Sequence, residues 1–174
     1  EQAIQSKIFD KIVLISDNLI VKDIAEDYNL DYWFKRPKNL ANDNAGKIST
    51  IRHALLESEK HFGEKFDICI DLDITSPLRS VDDIKKALKQ FIKDKSNILF
   101  SVCLARRNPY FNMVEKIGNK IELVKKTSKF IFRRQDAPKV YEMNASIYIW
   151  KREKLLKTDN LYGKKTSIYL MSMS

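Results

Sequence analysis

Polar and charged residues follow several apolar, strand-like runs of this 174-residue sequence, at the points where the runs stop. These positions are Asp17-Asn18, Arg36, Asp71 with Asp73-Ile74-Thr75-Ser76, and Arg106-Arg107-Asn108. In open α/β sheets the ligand binds in the crevice beyond the carboxyl ends of the strands. A mixture of carboxylates, hydroxyls and guanidiniums at such an edge suits a phosphate ester bound with a metal ion. Phosphoryl and nucleotidyl transfer need these groups, because they depend on positioning and charge neutralisation.

The two aspartates at the end of one run, Asp71 and Asp73, form an Asp-x-Asp pattern. Alternate residues of a strand face the same way, so both carboxylates are expected on one face, where they would hold a divalent metal ion. This pattern is short, and two solvated or helix-capping aspartates explain it equally well. A glycosyltransferase that binds a nucleotide sugar through the same pair is an alternative function.

Phosphate-binding loops rich in glycine are not found in this sequence. Gly46-Lys47 resembles the end of such a loop, but the earlier glycine that the motif requires falls on Ala41 and the hydroxyl residue on Ile48. With only four glycines in the chain, we expect arginines or a segment outside this sequence to hold the phosphates.

The histidines and cysteines do not predict a catalytic or metal site. His53 and His61 lie eight residues apart with no partner at metal-binding spacing, and no nucleophile elbow is present. Cys69 and Cys103 lie inside apolar runs, which indicates buried thiols in a reducing compartment. No apolar run approaches the roughly 18 to 20 residues that span a bilayer. We therefore expect a soluble, cytoplasmic protein.

The formal net charge of +9 is unevenly distributed. Residues 101–139 contain 10 lysines and arginines against 3 acidic residues, whereas residues 1–100 contain 16 against 17. This basic segment is compatible with binding an anion, an acidic partner surface or RNA, and also with a solvated lysine-rich surface. A basic nucleic-acid-binding module is thus a third hypothesis, although no RNA- or DNA-binding motif is present.

Strand-like and helix-like segments alternate over the first hundred residues. Apolar runs at 11–16, 31–35, 66–72 and 97–103 predict strands, and helical periodicity predicts helices to about residue 9, to about 28, over 47–62 and after the N-cap Ser80. This alternation predicts the α/β class, with a mostly parallel sheet covered by helices on both faces.

The pattern changes after Pro109. Two short strands around Gly118-Asn119 predict a hairpin, followed by strands at 140–143 and 146–150, a short helix to about 156 and a last strand near 167–170. We predict one domain over residues 1–174, with residues 109–139 as an inserted lobe. The first residues already have helical spacing and the sequence lacks an initiator methionine, so we expect residues upstream of Glu1.

Three stretches together resemble the acylneuraminate cytidylyltransferases, or CMP-sialic acid synthetases, and their bacterial relatives that act on similar sugars. The stretches are Arg36-Pro37 with Leu40-Ala41-Asn42-Asp43, then Asp71 to Arg79 (DLDITSPLR), then Arg133-Arg134-Gln135-Asp136 through Pro138 to Asn144-Ala145-Ser146-Ile147-Tyr148. The similarity extends over nearly the whole chain. It implies a Rossmann-like fold of the nucleotide-diphospho-sugar transferase type, with residues 109–139 as a small hairpin lobe for dimerisation and the sugar site.

The resemblance also implies a magnesium-dependent homodimer in which the anomeric hydroxyl of an acidic nine-carbon sugar attacks the α-phosphorus of CTP and releases pyrophosphate. The predicted site residues fall into four groups. The resemblance implies that Arg36, Ala45, Lys47 and Ser76 bind the nucleotide and that Thr75 and Arg79 are catalytic, together with Asp73 of the same stretch. It implies that Arg134, Gln135, Asn144 and Tyr148 bind the sugar, whereas Asp71 and Asp73 are predicted metal ligands from the Asp-x-Asp pattern alone.

The sequence departs from the family pattern in two respects. Asp73-Ile74 replaces the usual Gln-Pro, and Glu142 stands where an arginine is often found. Both changes affect the sugar side, so a modified sugar such as legionaminic acid is favoured over N-acetylneuraminic acid. The family's phosphate-binding segment would precede Glu1 and its main metal motif would follow Ser174, so we expect this chain alone to be inactive.

Overall fold

A computed structural model describes residues 1–41, 46–76, 78–128 and 131–172. The helices in this part of the chain are α1 (Gln2–Ser6), α2 (Leu19–Glu26), α3 (Lys47–Phe62), α4 (Val81–Lys93) and α5 (Arg152–Lys157). The strands are β1 (Val13–Ser16), β2 (Tyr32–Lys35), β3 (Ile68–Leu72), β4 (Ile98–Leu104), β5 (Val114–Ile117), β6 (Lys120–Leu123), β7 (Tyr141–Lys151) and β8 (Thr166–Leu170). Short 3-10 helices cover Lys38–Leu40 and Arg134–Asp136.

The strands form three sheets. β1 and β2 pair in parallel, β5 and β6 form an antiparallel hairpin, and the four-stranded sheet has the order β3-β7-β4-β8. The predicted α/β class with a mainly parallel arrangement is confirmed, with β7 as an antiparallel member beside β3. The sequence predicted two strands at 140–143 and 146–150, but the structure has the single strand β7 across both.

Two compact units make up the chain. The first unit contains residues 1–101 and 145–169, and the second unit contains residues 102–144 and 170–174. The core of the first unit is apolar and closed to solvent. Its fully buried large side chains are Ile84, Phe91, Ile98, Leu99, Ile147, Ile149, Trp150 and Leu155. Consecutive buried residues in β4 and β7 show that both faces of these strands are covered, which explains their unbroken apolar runs.

The start of α4 is fixed by side-chain hydrogen bonds that the sequence predicted. The Ser80 hydroxyl accepts a hydrogen bond from the Asp83 N–H at 3.0 Å, and the Asp83 carboxylate accepts one from the Ser80 N–H at 3.2 Å. This capping box satisfies two backbone donors that the helix leaves open. Tyr169, in β8, donates to the other Asp83 oxygen at 2.9 Å. The same carboxylate therefore links the helix to the last strand.

The second unit contains the predicted lobe. Its hairpin turns at Gly118, whose φ of 61° lies in the left-handed region that glycine adopts without a side-chain clash. The apolar side chains of Val114, Ile117 and Ile121 are 62%, 58% and 64% exposed. These apolar side chains of the hairpin therefore remain exposed to solvent, because the rest of the second unit does not pack over them. Among the described residues, no helix is both long enough and apolar enough to cross a membrane.

Candidate functional site

An ion-pair cluster lies where β3 ends and α3 begins. Asp71 belongs to β3, Asp73 follows it, and Lys47 is the first residue of α3. Lys47 Nζ lies 2.9 Å from Asp71 Oδ2 and 2.9 Å from Asp73 Oδ2, so one ammonium group bridges both carboxylates. We call Lys47, Asp71, Asp73 and Tyr148 the lysine–aspartate cluster.

Tyr148 closes one side of this cluster. In the antiparallel register of β3 with β7, Asp71 pairs with Tyr148. Lys47 Nζ lies 4.3 Å from the centre of the tyrosine ring, within the range of a cation–π interaction. Tyr148 is 6% exposed, and burial raises the pKa of its hydroxyl. The ring therefore offers the ammonium group a rigid aromatic face.

Asp73 is held by the turn that follows it. Its Oδ1 accepts hydrogen bonds from the Thr75 N–H at 3.0 Å and from the Thr75 hydroxyl at 2.7 Å, which leaves Oδ2 to Lys47. Burial alone would raise the pKa of Asp73, but these hydrogen bonds and the charge of Lys47 outweigh it and lower the pKa to about 2. The carboxylate is thus ionised and fixed in orientation.

Lys47 carries its charge at neutral pH. Partial burial alone would lower the pKa of its amine, but the charges of Asp71 and Asp73 and their contacts with the amine raise it. Two carboxylates, an ammonium group and the Thr75 hydroxyl thus stand beyond the carboxyl end of β3. Such a group can bind a polar ligand through hydrogen bonds, with Lys47 as its cationic member.

Arg79 supports the cluster from within the fold. It is 8% exposed, and its Nη1 donates to the Ser146 carbonyl at 2.7 Å and to the Asp73 carbonyl at 3.2 Å. The Ser146 carbonyl also accepts from the Asp73 N–H at 3.2 Å. Burial lowers the pKa of Arg79, while the nearby aspartates act against that change. The guanidinium therefore ties the turn after β3 to the middle of β7.

The backbone of β7 departs from regular geometry at this point. Ala145 has a φ of 50°, which is unusual for a residue with a side chain. Two residues further along, the N–H of Ile147 donates to the Ser101 hydroxyl of β4 at 2.8 Å. Ser101 and Ser146 are each 2% exposed. Sequence reasoning gave these serines no role, although Ser101 is the only hydroxyl inside the apolar run of β4.

Arg36, a predicted nucleotide-binding residue, is paired with Asp17. Its Nε donates to Asp17 Oδ1 at 2.8 Å, and its Nη2 contacts the same oxygen. The hydrogen bond from Arg36 is the largest cause that lowers the pKa of Asp17. Asp17 follows β1 and Arg36 follows β2, so this pair also stands at the carboxyl end of a parallel sheet. It is a second cationic position in the first unit.

The provisional metal ligands do not fit a resident metal ion. Oxygen atoms of Asp71 and Asp73 would suit magnesium chemically, but each is in contact with the ammonium group of Lys47. The described residues contain no group of three or more histidines, cysteines or acidic residues arranged to hold a metal ion.

The predicted sugar-binding residues divide between the two units. Tyr148 belongs to the first unit, within the lysine–aspartate cluster, whereas Arg134, Gln135 and Asn144 belong to the second. There Arg134 Nη2 donates to the Arg106 carbonyl at 2.5 Å, and Asn144 Nδ2 lies 3.2 Å from Met171 Sδ. Gln135 is exposed on the 3-10 helix Arg134–Asp136.

The structure thus brings together five of the predicted residues of the first unit: Lys47, Asp71, Asp73, Thr75 and Tyr148. Arg79 lies behind them, and Ser76 is joined to the same turn because its N–H donates to the Asp73 carbonyl at 3.4 Å. Ala45 lies outside the described residues. Glu142, predicted to affect the sugar side, accepts a hydrogen bond from the Arg106 N–H at 3.0 Å in the second unit.

Comparison with known proteins gives a consistent result. A family model described as cytidylyltransferase matches residues 1–173. The post-translational flagellin modification protein B of Campylobacter coli is 45% identical over 173 residues, which cover 99% of this chain and 73% of that protein. The CMP-N,N'-diacetyllegionaminic acid synthase of Campylobacter jejuni subsp. jejuni is 46% identical, with the same two coverages.

A solved structure shares the fold at low sequence identity. The structure of CMP:2-keto-3-deoxy-manno-octonic acid synthetase complexed with CTP superposes with a TM-score of 0.61 and is 12% identical. The match covers 98% of this chain and 76% of that one.

Proposed function

Because this chain belongs to the cytidylyltransferase family, we propose that it activates a sialic-acid-like nonulosonic acid with CTP, giving the CMP-sugar and pyrophosphate. The sugar's anomeric hydroxyl attacks the α-phosphorus of CTP, a new phosphorus–oxygen bond forms, and the bond to pyrophosphate breaks. The hydroxyl proton leaves to a base or to solvent. The sugar that we propose is of the legionaminic acid type.

The observation that carries this proposal is the lysine–aspartate cluster beyond the carboxyl end of β3. It places a fixed carboxylate, a hydroxyl and an ammonium group at the edge where α/β sheets bind ligands. Nucleotidyl transfer needs ordered polar groups of this kind more than it needs a protein nucleophile. The 46% identity to a protein named for CMP-N,N'-diacetyllegionaminic acid synthesis supports the choice of sugar.

We propose separate roles for the predicted nucleotide-binding and catalytic residues of the first unit. Lys47, which two carboxylates hold, and Arg36, which one carboxylate holds, donate hydrogen bonds to the nucleotide. Asp73 and Thr75 line the reaction site, and Ser76 contributes a polar group from the same turn. Arg79 is buried against backbone carbonyls, so the role that its geometry supports is to position this turn and not to touch the substrate.

We propose Arg134, Gln135, Asn144 and Tyr148 as sugar-binding residues. The guanidinium of Arg134 and the amides of Gln135 and Asn144 suit a carboxylate and acylamino groups. Asp73-Ile74 changes the polarity of the turn relative to the Gln-Pro of the family pattern, which supports a modified sugar.

Magnesium, dimerisation and location are further parts of the proposal. We propose that the reaction requires magnesium, and that Asp71 and Asp73 are not its resident ligands while Lys47 pairs with them. A homodimer formed through the 109–139 lobe would cover the exposed hairpin side chains. Cys69 and Cys103 are both free thiols, which fits the cytoplasm, where CTP is available.

The family membership favours nucleotidyl transfer over the two other hypotheses. A glycosyltransferase would use Asp71 and Asp73 as metal ligands, but Lys47 bridges them. In the basic segment of the second unit, Arg133 pairs with Asp136 at 2.8 Å and Lys126 pairs with Glu122 at 2.6 Å. These ion pairs reduce the charge that the segment would offer to RNA.

A product assay tests the proposal. The 174-residue chain and the same chain extended by flanking residues at both ends are each incubated with magnesium and with CTP, UTP, ATP or GTP, together with N,N'-diacetyllegionaminic acid, pseudaminic acid or N-acetylneuraminic acid. We expect pyrophosphate release and a CMP-sugar, detected by mass spectrometry, from the extended form, only with CTP and most rapidly with the legionaminic acid. Turnover of a sugar nucleotide, or a preference for another nucleotide, would contradict the proposal.

A further inference from the structure

The ammonium group of Lys47 occupies a position that is built to hold a cation. It lies 2.9 Å from an oxygen of Asp71, 2.9 Å from an oxygen of Asp73 and 4.3 Å from the ring centre of Tyr148. Carboxylates and an aromatic face all favour positive charge. Three independent side chains from β3, the following turn and β7 thus converge on one nitrogen.

The position of Lys47 in α3 is unfavourable for a lysine without such partners. It is the first residue of the helix, where the helix dipole favours negative charge, and the first turn of α3 contains no acidic residue. The negative charges of Asp71 and Asp73 offset the unfavourable interaction between the Lys47 charge and the helix dipole. The ion pair therefore stabilises the N-terminus of α3.

We propose that Lys47 is the resident cation of the Asp71–Asp73 pair, and that the pair binds a divalent metal ion only when this ammonium group is removed. The Asp-x-Asp pattern in the sequence suggested a metal site at these aspartates, and the structure places the Lys47 ammonium group there instead. This inference does not depend on the transfer reaction, so either can fail without the other.

The geometry of the aspartates supports the prediction that they bind a divalent metal ion once the Lys47 ammonium group is removed. Their side chains are 25% and 24% exposed, but Asp71 Oδ2, the oxygen that lies 2.9 Å from Lys47 Nζ, is itself closed to solvent. Thr75 holds Asp73 Oδ1 and so keeps Oδ2 directed at the shared position. Two carboxylates and several water molecules are a common ligand set for magnesium and similar ions. Because no third acidic, histidine or cysteine ligand completes the set in the described chain, the affinity gained should be moderate.

Manganese binding provides the test, because free Mn²⁺ is measured directly by electron paramagnetic resonance. The proteins compared are the unmodified chain, Asp71→Asn, Lys47→Met, Lys47→Met with Asp71→Asn, and Lys89→Met. We expect Lys47→Met to bind one Mn²⁺ at least tenfold more tightly than the unmodified chain. We expect the added Asp71→Asn change to remove this gain, and Lys89→Met to have no effect. Thermal unfolding followed by circular dichroism should show an Mn²⁺-dependent rise in Tm for Lys47→Met alone.

Two results would overturn the proposal. One is tight binding of Mn²⁺ by the unmodified protein that Asp71→Asn abolishes, which would make the pair a metal site with Lys47 present. The other is an unchanged Mn²⁺ affinity in Lys47→Met. If that variant fails to fold, Lys47→Gln removes the same charge and keeps a polar group, and the Asp71→Asn arm in the unmodified protein is decisive by itself.

Discussion

Tyr148 lies opposite Asp71 in the pairing of β7 with β3, and its ring faces the lysine that Asp71 binds. The strand pairing therefore sets the distance between an aromatic face and an ion pair. Because β7 pairs with β3 in antiparallel register, Tyr148, which comes late in the chain, lies opposite Asp71 near the end of a strand that comes early.

The contact between Lys47 and Tyr148 should be measurable as a coupling energy. In a double-mutant cycle of Lys47→Met and Tyr148→Leu, we expect about 0.5 to 2 kcal/mol of coupling in the free energy of unfolding, the range of a partly desolvated cation–π contact. Urea unfolding gives the four values. Replacing Leu by Phe at position 148 keeps the ring and should preserve the coupling. If the two single substitutions change the free energy of unfolding by amounts that simply add in the double variant, the ring does not stabilise the ammonium group.

Arg79 should contribute more to stability than a surface arginine. Arg79→Met removes donors to the Ser146 and Asp73 carbonyls, and we expect a loss of about 2 to 3 kcal/mol in the free energy of unfolding. Arg79→Lys keeps a charge with fewer directed donors and should lose roughly half as much. Lys89→Met is the control and should change stability by less than about 0.5 kcal/mol. Equal losses in the free energy of unfolding for Arg79→Met and the control would show that the buried hydrogen bonds of Arg79 do not stabilise the fold.

Asp73 should make stability depend on pH in the acidic range. Its pKa of about 2 in the folded chain lies below the ordinary value of 3.8, so the ionised form favours folding. This contribution, about 2 kcal/mol, is fully present well above pH 4 and is lost as the pH falls towards 2. Urea unfolding of the unmodified protein and Asp73→Asn should converge over that range. A constant difference from pH 6 to pH 2.5 would exclude the effect, and Asp82→Asn on α4 is the control.

Arg36 should act mainly on nucleotide binding if the proposed function holds. Arg36→Ala is expected to raise the KM for CTP about tenfold, equivalent to about 1.4 kcal/mol, with a smaller change in kcat. Arg36→Lys should recover only part of the loss, because the planar donor array is absent. Asp17→Asn separates the roles, since it removes the partner of Arg36 and keeps the guanidinium. Unchanged CTP affinity in Arg36→Ala would remove this residue from the site.

The exposed hairpin should control the oligomeric state. Val114→Lys with Ile121→Lys places charges on the apolar side of β5 and β6, and we expect this variant to sediment as a monomer at concentrations where the unmodified protein is a dimer. Lys89→Ala, on α4, should leave sedimentation unchanged. A monomeric unmodified protein well above micromolar concentration would contradict a dimer formed through the lobe.

Periodicity and local signals predicted most of the elements. The helix over 47–62 coincides with α3, Ser80 caps α4 as expected, and the hairpin turns at Gly118. These features depend on residues within a few positions of one another, so the sequence contains the information that determines them.

The contacts of the site depend on residues distant in the chain, and the sequence did not predict them. Lys47 reaches Asp73 across 26 positions, and Arg79 reaches Ser146 across 67. An arginine in a polar turn is usually exposed, so its burial could not be inferred from type. The sequence also did not predict that β7 runs antiparallel to β3, because a buried strand has the same apolar residue pattern in either direction.

The order β3-β7-β4-β8 also determines what a ribosome-bound chain exposes. β3 and β4 leave the ribosome before β7, the strand that lies between them, has been synthesised. Until residue 151 has emerged, the facing edges of two apolar strands have no partner from their own chain. Unpaired edges of this kind favour association with other chains, so the interval of about 50 residues between β4 and the end of β7 is the period of greatest aggregation risk. Slower translation over that interval should lower the yield of folded protein, and binding of a chaperone to nascent chains of that length should restore it.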